Sequence, residues 1–183
     1  MKRLIRSSIL AIVFALTPSY VHAQRTPHAD TAAVGGDVGV FIPRDDALSW
    51  GPDLEGFYEY YITPRTSLRL GLGWMKPDFE GDNDVSLRYI RVGGDIVRNW
   101  EGGAIHPFVG GGLGVYFIQL RDNGHNVGDG DSKLGGNIFG GVEFFTSNTL
   151  SVKAEARYHL VENINGFINP DGLALTIGLK KYF

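Results

Sequence analysis

The sequence predicts an all-β protein, an eight-stranded antiparallel up-and-down transmembrane β-barrel. Three observations predict it. Period-two alternation of apolar and polar residues recurs eight times after residue 32. The connections between these segments take strict turns, long then short. The polar faces are not ordinary solvated faces, because they mix charges with glycines and large aromatics. Side chains alternate across a strand, whereas a helix would spread the same residues around its circumference.

The first element is a targeting segment. Lys2, Arg3 and Arg6 precede the apolar run Ile9 to Leu16, and Val21-His22-Ala23 supplies small residues where a signal peptidase reads. The run falls short of the ~20 residues that span a bilayer, so residues 1–23 read as a secretory signal peptide. Residues 24–32 read as a flexible N-terminal tail and 33–183 as one barrel domain. Cleavage after Ala23 removes three of the 17 Lys and Arg against 20 Asp and Glu, which leaves six more acids than bases. That charge excludes a nucleic-acid partner.

Strands are expected at about 33–42, 53–62, 67–76, 85–98, 105–119, 133–146, 150–161 and 172–183. The seventh is the clearest. Leu150, Val152, Ala154, Ala156, Tyr158 and Leu160 share one face, and Ser151, Lys153, Glu155, Arg157 and His159 the other. The third sets Leu68, Leu70, Leu72 and Trp74 against Arg69, Gly71 and Gly73, and the eighth sets Leu175, Ile177 and Leu179 against Thr176, Gly178 and Lys180. The fourth changes phase between Tyr89 and Ile90, which a β-bulge, or a shorter strand beginning near Leu87, would reconcile. Short turns at 63–66, 99–104 and 147–149 and long polar loops at 43–52, 77–84, 120–132 and 162–171 then fall at opposite ends, the layout of membrane barrels.

Composition narrows the rest. Glycine is 26 of 183 residues and cysteine is absent, so disulfide scaffolds, thiolate metal sites and lipid-modified cysteines are excluded. The glycines fall largely on strands: Gly110, Gly112, Gly114 and Tyr116 share a face of the fifth, as small and large residues do inside a tapered barrel. Aromatics gather near strand ends at Trp74, Trp100, Phe144, Phe145, Tyr182 and Phe183, the pattern of a membrane-interface belt.

The segment His106-Pro107-Phe108-Val109-Gly110-Gly111-Gly112-Leu113-Gly114 and the terminal strand ending Lys180-Lys181-Tyr182-Phe183 resemble those of the small eight-stranded outer-membrane barrels, the OmpA/OmpX-like family. The resemblance spans about 33–183. It implies insertion in the bacterial outer membrane among lipids and lipopolysaccharide. It also implies an assembly signal at Leu175, Ile177, Leu179 and Phe183 that the barrel-assembly machinery reads. Lys181 departs from that signal, since its place is usually aromatic or apolar.

The candidate inner face carries a charge network of Glu55, Glu59, Arg69, Glu143, Lys153, Glu155 and Arg157, with Asp95 or Arg91 depending on the phase of strand four. Opposite charges in a narrow interior must pair, so a plugged core is expected. The function this implies is structural, surface-display or binding through four external loops toward an unknown extracellular ligand, with no catalytic residue, cofactor or metal site. The alternatives are a small channel or transporter and, second, a lipid A-modifying barrel enzyme. Lipid A deacylases are similar in this C-terminal region, but their motif places a serine two residues after the histidine. Here Val161 follows His159, and a histidine cannot activate an absent hydroxyl. The acidic loops, with Asp122-Asn123-Gly124 and Asp129-Gly130-Asp131, lack calcium-loop spacing, and Gly110-Gly111-Gly112 lacks the Lys-Ser/Thr of a phosphate loop.

Overall fold

The computed structural model describes residues 27–101, 105–163 and 169–183. Its eight long strands are β1 Ala32–Pro43, β2 Gly51–Thr63, β3 Thr66–Met75, β4 Asp82–Asn99, β5 Ile105–Asp122, β6 Asp131–Ser147, β7 Leu150–Val161 and β8 Gly172–Tyr182. Each pairs antiparallel with its neighbour in sequence. β1 also pairs with β8 from Ala33↔Tyr182 to Pro43↔Gly172. The sheet therefore closes on itself and has no free edge, which lipid demands of a spanning sheet.

The outward face is apolar, with Leu70, Leu72, Leu113, Leu134, Ile138 and Ile177 each about 60% exposed or more. The inward face holds the charges. A water-soluble barrel would show the reverse. No helix among the described residues is long and apolar enough to cross a membrane.

Strand four differs from its expectation. β4 pairs without interruption from Met75↔Tyr89 to Thr66↔Arg98 on one side and from Val85↔Asp122 to Asn99↔Phe108 on the other. There is no bulge between Tyr89 and Ile90, and the strand does not shorten to Leu87. Leu87, Tyr89, Arg91, Asp95 and Val97 all face inward. The apolar residues change phase because the lumen itself turns apolar toward the long-loop end, so Arg91 and Asp95 are both inside rather than one or the other.

Two of the long connections are partly strand. Asp78 pairs with Ser86 and Phe79 with Asp82, extending the β3–β4 hairpin, and His125 and Asn126 fold back on Asp122 and Arg121. Asn123 and Gly124 turn this second hairpin with positive φ of 48° and 78°.

Candidate functional site: a charged lumen closed at both ends

The lumen is built in layers. At the short-turn end, Ala33, Tyr61, Phe145 and Tyr182 form a buried cluster, with His106 against Phe145 at 4.8 Å between rings. Phe145 and Tyr182, expected in the interface belt, thus point inward, because each falls on the polar parity of its strand. Trp100, Phe144 and Phe183 remain exposed at this rim, while exposed Trp50 and half-buried Trp74 lie toward the long-loop end. Pro27 is buried and residues 28–31 are tied to the barrel: Asp30 N donates to Tyr61 O (2.8 Å) and Tyr61 N to Thr31 O (2.9 Å). The stretch read as a tail lies against the rim over 27–31; its earlier residues, like 1–23, lie outside the described residues.

Above this cluster sits a tightly bonded ionic layer. Glu59 takes Arg69 Nη2 at 3.0 Å and Lys180 at 3.4 Å, and accepts from Ser67 Oγ at 2.5 Å. Lys180 also reaches Glu143 at 2.9 Å, and Glu143 accepts from the hydroxyls of Ser151 and Tyr182. Arg69 crosses the lumen to Glu155 at 2.8 Å. Since β3 and β7 stand four places apart in a ring of eight, this pair spans the full diameter. Phe57, Phe108 and Phe139 surround its guanidinium at 4.5–5.8 Å, where each ring face adds attraction.

Next comes a looser layer. Lys153 bridges Asp37 (2.7 Å) and Glu155 (2.8 Å). Arg157 contacts Glu155 at 2.8 Å and Asp95 at 2.9 Å, and Asn137 bonds Asp95. Arg91 meets Asp95 at 2.6 Å. Glu55 receives only longer contacts, 3.7 Å from Arg91 and 3.5 Å from Arg157.

The long-loop end is apolar again. Phe41, Met75, Leu87, Tyr89, Tyr116, Ile118, Val161 and Ala174 pack together, and Leu48 from the first long loop inserts among them. His159 lies here, buried, its Nδ1 2.8 Å from the Tyr116 hydroxyl.

The structure therefore brings together all seven residues expected of the network, Glu55, Glu59, Arg69, Glu143, Lys153, Glu155 and Arg157. It adds Asp37 and Lys180, and holds both Arg91 and Asp95 where one or the other was expected. Asp37 had a signal in the sequence, a lone acid alternating with Val34, Val38 and Val40. Lys180 had one too, on the polar parity of the last strand. Leu175, Ile177, Leu179 and Phe183 are exposed on the outer wall. Among the described residues no cluster of His, Asp and Glu is arranged to hold a metal.

Glycine makes this filling possible. A Cβ on Gly35 would lie 2.2 Å from the Phe57 ring, on Gly110 2.3 Å from Phe139, and on Gly172 2.4 Å from Phe41. Gly178 leaves room for the Asp37 carboxylate in the same way.

A closed eight-strand ring, apolar outside and ionic within, matches the model of the outer membrane protein beta-barrel domain over residues 8–183. The chain belongs to that family. Its place is the outer membrane. Solved structures of similar shape include Neisserial surface protein A, at 13% identity and TM-score 0.67 over 85% of this chain and 98% of that one. The OprG protein of Pseudomonas aeruginosa gives 13% and 0.64 over 86% and 98%, and the N-terminal barrel of OprF from the same organism 14% and 0.63 over 86% and 100%. These likenesses establish the fold. No curated protein matches the chain.

Proposed function

We propose that this protein is a non-enzymatic, closed barrel that holds an ordered platform of external loops at the cell surface, where an extracellular ligand binds. The observation that carries the reading is the latch across the outer mouth. Asp45 accepts from its own loop at Ala47 N and from the fourth loop at Asn169 N, both at 3.0 Å. Arg44 N donates to Asp171 O (2.8 Å), while Asp171 Oδ1 accepts from Val161 N (2.8 Å). Ser49 N donates to Asp78 O and Glu80 N to Ala47 O. Three loops are thus joined with Leu48 driven into the lumen beneath them, and loops on a rigid scaffold are where recognition resides.

A channel reading meets two apolar layers and an Arg69–Glu155 pair across the diameter, and an eight-strand ring has room only for side chains. The lipid A-modifying reading meets Val161, which is buried in the outer cluster rather than facing lipid. Residues 1–23 as signal peptide, Leu175, Ile177, Leu179 and Phe183 as the signal read by the barrel-assembly machinery, and lipopolysaccharide as a lipid neighbour complete the proposal.

Planar-bilayer recording tests the closed lumen: no stable conductance is expected, and steady single-channel steps would overturn it. Incubation with lipid A should leave every acyl chain attached. Asp45→Ala with Asp171→Ala should weaken ligand capture while the heat-modifiable barrel persists; undiminished capture would detach function from the platform.

A further inference from the structure

The outer wall at the β3–β4–β5 sector changes character abruptly with height. Register gives its rows. Trp74, Ile90 and Phe117 are side by side. One outward step higher, Arg88 stands beside Gln119. Lys76 joins that row, because it follows Met75, the partner of Tyr89, and its N–H continues the ladder to Pro52 O at 3.1 Å. The next row holds Asp78, Ser86 and Arg121. An apolar and aromatic row is therefore capped by Lys76 and Arg88, with Arg121 diagonal to Arg88 at the distance at which long side chains meet.

These cations are incompletely used. Arg88 has no ion pair with a described side chain. Lys76 lies 3.5 Å from Asp78, half-exposed. Arg121 spends one guanidinium nitrogen on Gly124 O and leaves its Nε without a partner. The described carboxylates of this sector, Asp78, Glu80, Asp84 and Asp122, lie beyond the row of Lys76 and Arg88, farther from the hydrocarbon. At the opposite rim the outward cations are engaged: Arg65 with Glu101, Arg98 with Thr66 and Lys181 with Thr149. Directly beneath the cationic row the wall is dented by a groove of about 460 Å³ lined by Val38, Leu54, Leu72, Trp74 and Ile90. Gly56 forms part of it, and a Cβ there would touch nothing within 4 Å.

We propose that this sector is a lipid site: the phosphate of one outer-leaflet lipid sits on Arg88 between Lys76 and Arg121, and an acyl chain of that lipid fills the groove below Trp74. The charge fits, since guanidinium and phosphate pair through two parallel hydrogen bonds. The height also fits, because the cations follow immediately on the last apolar row. The site rests on the membrane placement and not on what the loops recognise, so its failure would leave the display reading untouched.

Trp74 is a built-in reporter. With Trp50→Phe and Trp100→Phe it becomes the single tryptophan of three. The full chain, inserted in vesicles, is quenched by brominated phosphatidic acid or by brominated phosphatidylcholine diluted into the same host lipid. Stronger quenching by the phosphatidic acid is expected, about five-fold in apparent affinity for each cation that engages it. Arg88→Gln should reduce that preference, while Arg98→Gln at the far rim should not. Gly56→Leu should lower quenching by both lipids. Equal quenching by the two lipids, or equal loss with Arg98→Gln, would overturn the site. Protection of Trp74 from both lipids, with cross-linking between barrels, would assign the groove to a second copy instead and overturn it too. Inorganic phosphate that failed to compete with the lipid would support the paired headgroup-and-chain mode; full competition would reduce the site to a bare anion site.

Discussion

The two ionic layers of the lumen carry the same kinds of residue and are held differently. Around Glu59, Arg69, Glu143 and Lys180 no charged side-chain atom lies buried without a hydrogen-bond partner, among the described residues. Around Glu55, Arg91 and Arg157 several do: Asp37 Oδ1, Glu55 Oε1, Arg91 Nε and Nη1, and Arg157 Nη2. The lower layer recruits Ser67, Ser151 and Tyr182 as extra donors to its carboxylates. Further along the same faces of β3 and β8 the upper layer has glycine instead, at Gly71, Gly73 and Gly178, and a neutral donor comes from Asn137, to Asp95. Charge pairing alone does not complete a buried network; neutral hydroxyls close the geometry that guanidinium and ammonium groups leave open.

Substitutions can break this contrast. Glu59→Gln strips a charge from Arg69 and Lys180 together and should cost about 3–5 kcal/mol, the scale for an orphaned buried ion, read by urea unfolding in vesicles. Glu55→Gln acts on contacts of 3.5 Å and longer, and Arg91 and Arg157 keep Asp95 as a partner, so it should cost less, about 1–3 kcal/mol, the scale of a buried polar group left short of a partner. Equal losses would erase the distinction between the layers. Gly112→Ala pushes a methyl to 2.1 Å from Gly94 O and 2.3 Å from Asp95 Oδ1. Overpacking of that kind should cost about 1–3 kcal/mol, whereas the outward Gly56→Ala should stay within about 0.5 kcal/mol. Above both layers, Tyr116→Phe removes the bond to His159 and should cost about 1 kcal/mol, visible as a shift of the unfolding midpoint without a change in slope.

Alternation made much of this architecture legible. Polarity separated the two rows of β3, β7 and β8, and the glycines and large aromatics mixed among the charges marked the polar rows as the lumen side. Alternation fails where the lumen changes its own chemistry. Tyr89 and Leu87 look like lipid-facing residues because they are apolar, and Phe145 and Tyr182 look like belt residues because they are aromatic and near strand ends. Each belongs to a cap whose apolar partners come from strands distant in sequence. Leu48 is the same case in a loop, a single buried apolar side chain whose role exists only once the mouth has closed.

The aromatic–glycine contacts bear on how the strands find their alignment. A slip of one residue between neighbours turns charges into lipid and is penalised at once. A slip of two keeps every residue on its proper face, so polarity cannot detect it. The ring contacts can. Phe57 stands opposite Gly35, and two residues away in either direction it would meet Ala33 or Asp37. Phe108 stands opposite Gly141, and an equal slip would set it against Phe139 or Glu143. Each bulky ring fits one notch on the next strand, so the glycines serve as a vernier scale that fixes the even-numbered steps the hydrophobic pattern leaves undetermined.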